Sequence, residues 1–320
     1  MAQEVLEVDF NLKSLELFNF QKKNNELYAY FLSLLNLGDF EPKSWKEIPC
    51  IPISFFKHHK LYLGDRHEES KFESSGTSKQ NKSYHYIPSL INYHKNAQHI
   101  FEASFGPLTN FEFLALLPGY TENPNSSLIS MVEYFIKNSR KSDKNYFLKN
   151  KKELIDRLEN TILATKIIVF GVSHAILDLI DHGYNSDVEF IIIETGGMKG
   201  LKKEMPKEEV FQLIHGAFPN AKIYSEYGMT ELQSQFYTEE NSLVFNMNDR
   251  AKVRIMEPND PFALQQNHKN GVVNIVDLAN AYTMPFIATE DIGVVLNENQ
   301  FKILGRLDHA DLRGCNLLLQ

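Results

Sequence analysis

Apolar residues follow two different rhythms along this chain. From Asn25 to Leu37 they recur at helical spacing, and Gly38 closes the stretch, which predicts a helix. Pro42, Pro49 and Pro52 then mark an irregular crossing. Leu90 to Ser104, Ser127 to Asn138 and Lys152 to Leu163 read as further helices. The run Phe113-Leu114-Ala115-Leu116-Leu117, closed by Pro118-Gly119, predicts a buried strand. Ile167 to Gly171 and Val188 to Ile193 are β-branched runs on either side of a helical stretch, Ala175 to His182. That order is a βαβ unit and implies parallel strands. A helix at Lys207 to Phe218 and a strand at Ala221 to Tyr224 continue it.

From about Val244 the strands come close together. Lys252 to Met256, Val272 to Asp277, Gly293 to Leu296 and Phe301 to Leu304 are separated by turns at Pro258-Asn259-Asp260, Lys269-Asn270-Gly271 and Asn297-Glu298-Asn299. The expected architecture is therefore an α/β body over residues 1–243 with a parallel sheet, and a β-rich, antiparallel subdomain over residues 244–320. No repeat, low-complexity tract or flexible linker interrupts it.

Composition narrows the function classes. At 320 residues the chain can bury a large core. A formal charge of -8 argues against a general nucleic-acid surface but not against a nucleotide, whose site needs only local donors. No run of about eighteen apolar residues exists, so no membrane-spanning helix is expected. Met1 to Phe10 carries Glu4, Glu7 and Asp9 and no basic start, unlike a secretory signal. Cys50 and Cys315 are the two cysteines, expected reduced, and the default compartment is the cytoplasm.

Three polar segments carry the candidate chemistry. Glu73-Ser74-Ser75-Gly76-Thr77-Ser78-Lys79 puts four hydroxyls around one glycine, and Lys79 and Lys82 add charge. Its backbone N–H groups can form an anion-binding concavity, although the P-loop spacing is absent. It could equally be a surface Ser-rich turn. Tyr224-Ser225-Glu226-Tyr227-Gly228-Met229-Thr230-Glu231 follows a strand. There Thr230 can bond a phosphate oxygen, Glu231 can hold Mg²⁺, and Tyr227 can stack on a base. Alternatively Glu231 caps a helix starting near Thr230. Glu194-Thr195-Gly196-Gly197-Met198-Lys199-Gly200 also follows a strand, where open α/β sheets bind ligands, or it is only a tight turn. The third segment, Gly305-Arg306-Leu307-Asp308, follows Thr289-Glu290-Asp291. Asp291 could accept ribose hydroxyls and Arg306 could bind ribose or phosphate; the bland reading is two turns with a surface ion pair. Cys315 beside Arg313 is either a nucleophile or a small buried apolar residue.

In order and separation these segments resemble the motifs of the adenylate-forming superfamily: acyl-CoA synthetases, luciferases and peptide-synthetase adenylation domains. Within it the ending Leu-Asp-His-Ala-Asp-Leu-Arg-Gly-Cys-Asn-Leu-Leu is similar to the acyl-protein synthetase branch, the luciferin-component ligases of bacterial luminescence. The resemblance implies the large N-terminal-type domain of those enzymes, an α/β body with a β-rich subdomain, and the mobile C-terminal lid missing or vestigial. It implies activation of a fatty or other carboxylic acid with ATP and Mg²⁺ to acyl-AMP, then transfer to a thiol. By position, Ser74, Ser75, Gly76, Thr77, Ser78 and Lys79 would hold the β- and γ-phosphates, Thr230 the α-phosphate and Glu231 the magnesium. Gly196, Gly197, Tyr227 and Gly228 would frame the nucleotide base; Asp291 and Arg306 would hold the ribose; Cys315 would accept the acyl group. An acyl-accepting partner such as a reductase or carrier protein fits the same reading, as does a coenzyme A ligase resembling phenylacetate-CoA ligase, or a non-catalytic relative. Departures are visible: Ser78-Lys79-Gln80 replaces the second Gly and the Pro-Lys ending, and Glu290 stands where Gly is common. The lysine of the C-terminal domain has no counterpart, so Arg306, Arg313, a phosphate-loop lysine or a partner would substitute.

Overall fold

Unbroken apolar runs bury both faces of a strand, and period-2 alternation then sends neighbouring side chains to opposite sides. The computed structural model describes residues 2–63, 68–74, 82–119, 121–140, 144–160, 166–196 and 205–307, with side chains from residue 10 onward. In chain order its elements are α1 (Ala2–Asn24), α2 (Glu26–Leu34), β1 (Ile51–Pro52), α3 (Phe55–His58), β2 (Ser70–Glu73) and β3 (Tyr84–Ile87). There follow α4 (Leu90–Phe105), β4 (Phe111–Leu116), α5 (Ser127–Asn138), α6 (Lys151–Glu159), β5 (Lys166–Val172), α7 (Ser173–Asp181), β6 (Ile191–Thr195), α8 (Lys207–Ala217) and β7 (Lys222–Tyr227). The last are β8 (Phe236–Thr238), β9 (Phe245–Asn246), β10 (Ala251–Glu257), β11 (Asp260–Leu264), β12 (Gly271–Asp277), β13 (Phe286–Asn297) and β14 (Gln300–Arg306). Two compact units result: residues 67–246, and residues 1–66 together with 247–320.

In the 67–246 unit the strands lie in the order β4-β5-β6-β7-β8-β9. β4 to β7 are parallel, as the βαβ pattern predicts, and β8 and β9 run antiparallel. Leu114, Leu116, Ile167, Val169 and Ile192 face a core with Leu154 of α6, Ile176 of α7 and Ile214 of α8. Their neighbours Phe113, Ala115, Ile168, Phe170 and Ile193 face a second core with Phe101 of α4 and Phe135 of α5. With helices on both faces, the free ground for a ligand is the carboxyl edge of the parallel strands. β2 and β3 form a separate two-stranded hairpin.

In the other unit β11-β10-β12-β13-β14 form an antiparallel sheet, and β1 adds to β13 in parallel. Ala2–Asn24, without a prediction above, form α1; its apolar residues are spread around the helix rather than along one stripe, so periodicity gives little signal. α1 and α2 pack on this sheet through Phe18 and Tyr28 against Phe286, at ring-centroid distances of 6.5 and 5.8 Å. Gln21 donates to the Ala281 carbonyl at 2.8 Å. Buried Arg254 of β10 donates to the carbonyls of Trp45, Lys46 and Ile48, tying the irregular crossing to the sheet. β11 contains Pro261 and lies at the sheet end, the position where a strand tolerates the missing N–H.

Candidate functional site

The carboxyl ends of β5, β6 and β7 hold a buried polar network that an apolar sheet would not otherwise accept. Glu194, on β6, has no exposed surface. Its carboxylate takes the Lys207 ammonium at 2.5 Å and the Ser225 hydroxyl at 2.9 Å, and also contacts the Ser173 hydroxyl. Lys207 further donates to the Gly196 carbonyl at 2.9 Å, and Ser173 Oγ lies 3.1 Å from the same oxygen. The end of β6 and the start of α8 are thereby latched together. Gly196 has φ +74, a backbone state that glycine adopts without strain, and no atom would meet a Cβ there.

One strand over, buried Glu226 accepts a hydrogen bond from Thr195 Oγ1. Burial pushes its carboxyl up to about 7; the Thr195 bond opposes this, Glu194 adds to it and Lys207 opposes it. A Cβ on Gly228 would collide with Glu226 Oε1, so a side chain there requires the buried acid to shift. Tyr227 lies 6.2 Å from Phe236 and 5.8 Å from Phe245, ring centroid to ring centroid. Thr230 and Glu231 lie in a turn, and no helix starts there, so the helix-cap alternative for Glu231 does not apply. Glu231 is 6% exposed. The segment that follows is anchored to α4: Asn96 donates to Gln233 O at 2.8 Å, and Gln235 donates to Ala97 O at 2.9 Å.

The β2–β3 hairpin meets this turn directly. Ser74 N donates to Ser83 O at 3.1 Å and Ser83 N to Ser74 Oγ at 2.8 Å, closing the hairpin at the start of the Ser-rich segment. Two residues on, fully buried His85 sits 2.7 Å from the Thr230 carbonyl through Nδ1. Lys82 pairs with Glu73 at 3.2 Å, as does Lys71. Burial favours the neutral Glu73 acid, but the two ammonium groups hold its carboxyl below the ordinary range.

In the 1–66 and 247–320 unit, Asp291 on β13 and Arg306 on β14 are register partners. The Arg306 guanidinium donates to Glu290 at 2.9 Å, which gives the residue standing in place of Gly a role. Ser75, Gly76, Thr77, Ser78, Lys79, Gly197 and Cys315 lie outside the described residues.

The sequence matches no family model and no curated protein. Solved structures match it in fold. A 2-hydroxyisobutyryl-CoA ligase in complex with 2-HIB-AMP and CoA superposes with a TM-score of 0.70 over 97% of this chain and 69% of that one, at 12% identity. The same ligase in the postadenylation state with 2-HIB-AMP also gives 0.70, over 94% and 68%, at 11% identity. ATP-bound MatB from Rhodopseudomonas palustris gives 0.53 over 76% of this chain, at 14% identity. The fold is that of the adenylate-forming ligases. The expectation of their large N-terminal-type domain holds, and the matched part spans about half of MatB, 49%.

Among the described residues, Ser74, Thr230 and Glu231 are of donor types that suit a magnesium–triphosphate. Hydroxyls and N–H groups complement phosphate oxygens, and a carboxylate complements a hard cation. Among the described residues no group of three or more His, Cys, Asp or Glu side chains could hold a metal ion by itself. A magnesium ion here would be held by Glu231 together with phosphate oxygens, its ordinary mode of binding. Also among the described residues, no helix is long and apolar enough to cross a membrane.

Sequence reasoning missed Glu194, Glu226, Lys207, Ser173 and His85. For the two acids a signal existed: each ends an apolar or β-branched strand, a place where a carboxylate is buried only with partners. His85 left none, since its partner lies 145 residues away.

Proposed function

We propose that this protein activates a carboxylic acid with MgATP and passes the acyl group to a thiol. The carboxylate oxygen attacks the α-phosphorus, the bond to the bridging oxygen breaks, and pyrophosphate leaves with the electron pair. The thiolate then attacks the acyl carbonyl of the adenylate, and AMP leaves. The observation that carries this reading is the 2.7 Å bond between His85 and Thr230 O, which brings the hairpin closed by Ser74 and Ser83 to the Thr230–Glu231 turn. That contact supports a reading in which Ser74 and the candidate magnesium carboxylate, Glu231, serve one triphosphate.

In this reading Thr230 bonds the α-phosphate and Glu231 holds magnesium, which when bound neutralises the developing phosphate charge. Ser74, with the Ser75–Lys79 segment, holds the outer phosphates. Gly196, Gly197, Tyr227 and Gly228 frame the base, and the motif resemblance gives Asp291 and Arg306 the ribose. The acceptor is Cys315, on the likeness of the C-terminal segment to acyl-protein synthetases, with covalent transfer at its thiol. Coenzyme A is the second reading, supported by the fold shared with a ligase solved with CoA.

Acid-dependent exchange of labelled pyrophosphate into ATP, across a panel of carboxylic acids, tests the first step. Exchange is expected with wild-type protein and lost in Glu231→Ala with unchanged circular dichroism. No exchange with any acid, alone or with a candidate partner, sinks the proposal. Cys315→Ser separates the acceptors: loss of hydroxylamine-labile acyl label with intact exchange supports transfer to the protein, and acyl-CoA release supports the alternative.

A further inference from the structure

The hairpin and the turn after β7 belong to distant parts of the sequence, and their contact runs through a buried histidine. β3 alternates, so Ser83, His85 and Ile87 point to the buried side while Tyr84 and Tyr86 are half-buried. On that buried side His85 has no exposed surface. The Thr230 carbonyl is an acceptor, so the His85 Nδ1 facing it at 2.7 Å carries the hydrogen and donates. The turn lies outside the helices and strand ladders, so the Thr230 carbonyl takes its partner from elsewhere, and a carbonyl shielded from water without a partner is costly. The turn is fixed further along by Asn96 and Gln235. At its start, at Thr230, His85 supplies a bond from the hairpin.

We infer that His85 is a positioning residue: its Nδ1–H locks the Thr230–Glu231 turn onto the β2–β3 hairpin, so that both elements meet a single nucleoside triphosphate in register. The inference rests on the nucleotide reading above. His85 itself touches neither nucleotide nor metal. Its effect falls on contacts to the phosphates and not on those to the base, because the base-framing residues Gly196 and Tyr227 are held by β6 and β7, not by the hairpin.

The test uses three variants, MgATP and adenosine. His85→Ala removes the donor and is expected to weaken MgATP binding by roughly tenfold or more by titration calorimetry. Adenosine affinity is expected unchanged. His85→Asn places an amide N–H close to the Nδ1 position and is expected to restore MgATP affinity to within about threefold of wild type. His85→Gln reaches to the Nε2 position instead and is expected to behave as His85→Ala. If wild-type protein binds MgATP and His85→Ala binds it equally well, the inference is overturned and the function stands. Equal losses for MgATP and adenosine mean general damage and overturn it too. If wild-type protein binds neither ligand, both fall. Should the variants fail to fold, long-range proton–nitrogen correlation spectra of the wild-type protein still decide. The Nδ1-H tautomer at His85, with its signal shifting on MgATP addition and not on adenosine, supports the inference; the Nε2-H tautomer refutes it.

Discussion

Glu226 ought to make this protein less stable as pH rises, and one substitution isolates the effect. The side chain is 7% exposed, and burial pushes its carboxyl from an ordinary 4.5 to about 7. The groups facing it are the Thr195 hydroxyl, the Glu194 carboxylate, the Lys207 ammonium and the phenols of Tyr93 and Tyr237, whose own ionisation burial chiefly and Glu226 secondarily suppress. Between pH 4.5 and about 7 the folded state holds a proton that the unfolded state has released. The unfolding free energy therefore falls with rising pH across that window. Displacement from 4.5 to about 7 corresponds to about 3 kcal/mol, present in full below the lower value and lost above the upper one. Glu226→Gln keeps an acceptor for Thr195 Oγ1 and presents an N–H where the neutral acid has its O–H. It is expected to melt with wild type at pH 4.5–5 and above it at pH 8–9. At about 2 °C per kcal/mol for a chain of this size, the gap at high pH is ~6 °C. Melting curves at constant ionic strength, at half-unit steps of pH, measure it. A gap that does not change with pH, or a variant less stable throughout, would refute a neutral buried acid at this position.

Two further predictions concern the same strand ends. Lys207→Ala leaves the Glu194 carboxylate buried without its cation and is expected to cost about 2 kcal/mol by denaturant melts. Adding Glu194→Gln removes the stranded charge and is expected to recover most of that loss. Gly228→Ala drives a Cβ into Glu226 Oε1, so it is expected to lower the melting temperature and weaken MgATP together. In combination with Glu226→Ala the two changes are expected to cost less than their separate effects added, and strict additivity would show that no such collision exists.

Much of the fold was legible because burial leaves a local trace. The runs at Phe113–Leu117, Ile167–Gly171 and Val188–Ile193 became β4, β5 and β6, shifted by a few residues at their ends. Ser127–Asn138 matches α5 residue for residue. Strand β13 was read only over Gly293–Leu296, although it runs from Phe286. Its first half carries Thr289, Glu290 and Asp291, and polar residues in a strand look like a turn when the partner strands are not yet known. Helix α6 ends at Glu159, short of the Leu163 expected.

The candidate site divides in the same way. Tyr227–Glu231 and Gly196 were legible because they follow strands, and in an open parallel sheet the residue after a strand lies at the ligand edge whatever its partners. Asp308 lies outside the described residues, and Arg306 pairs at the surface with Glu290 across the β13–β14 ladder.

The amino-acid order by itself determined the alternating strands and helices from Phe113 to Tyr224, the antiparallel class of the strands after Val244 and the three polar segments, since periodicity and turn chemistry act over a few residues; it left α1 and the β2–β3 hairpin undetermined. Only the folded chain decided who meets whom across long separations. Ile51 pairs with Ile287, α1 and α2 pack on Phe286, and His85 reaches Thr230. Such contacts are single encounters between segments hundreds or scores of residues apart, and they impose no repeating pattern on either partner. The acids Glu194 and Glu226 show the same limit: their letters announce charge, while their buried surroundings, set by neighbours on other strands, decide whether that charge is paired or neutral.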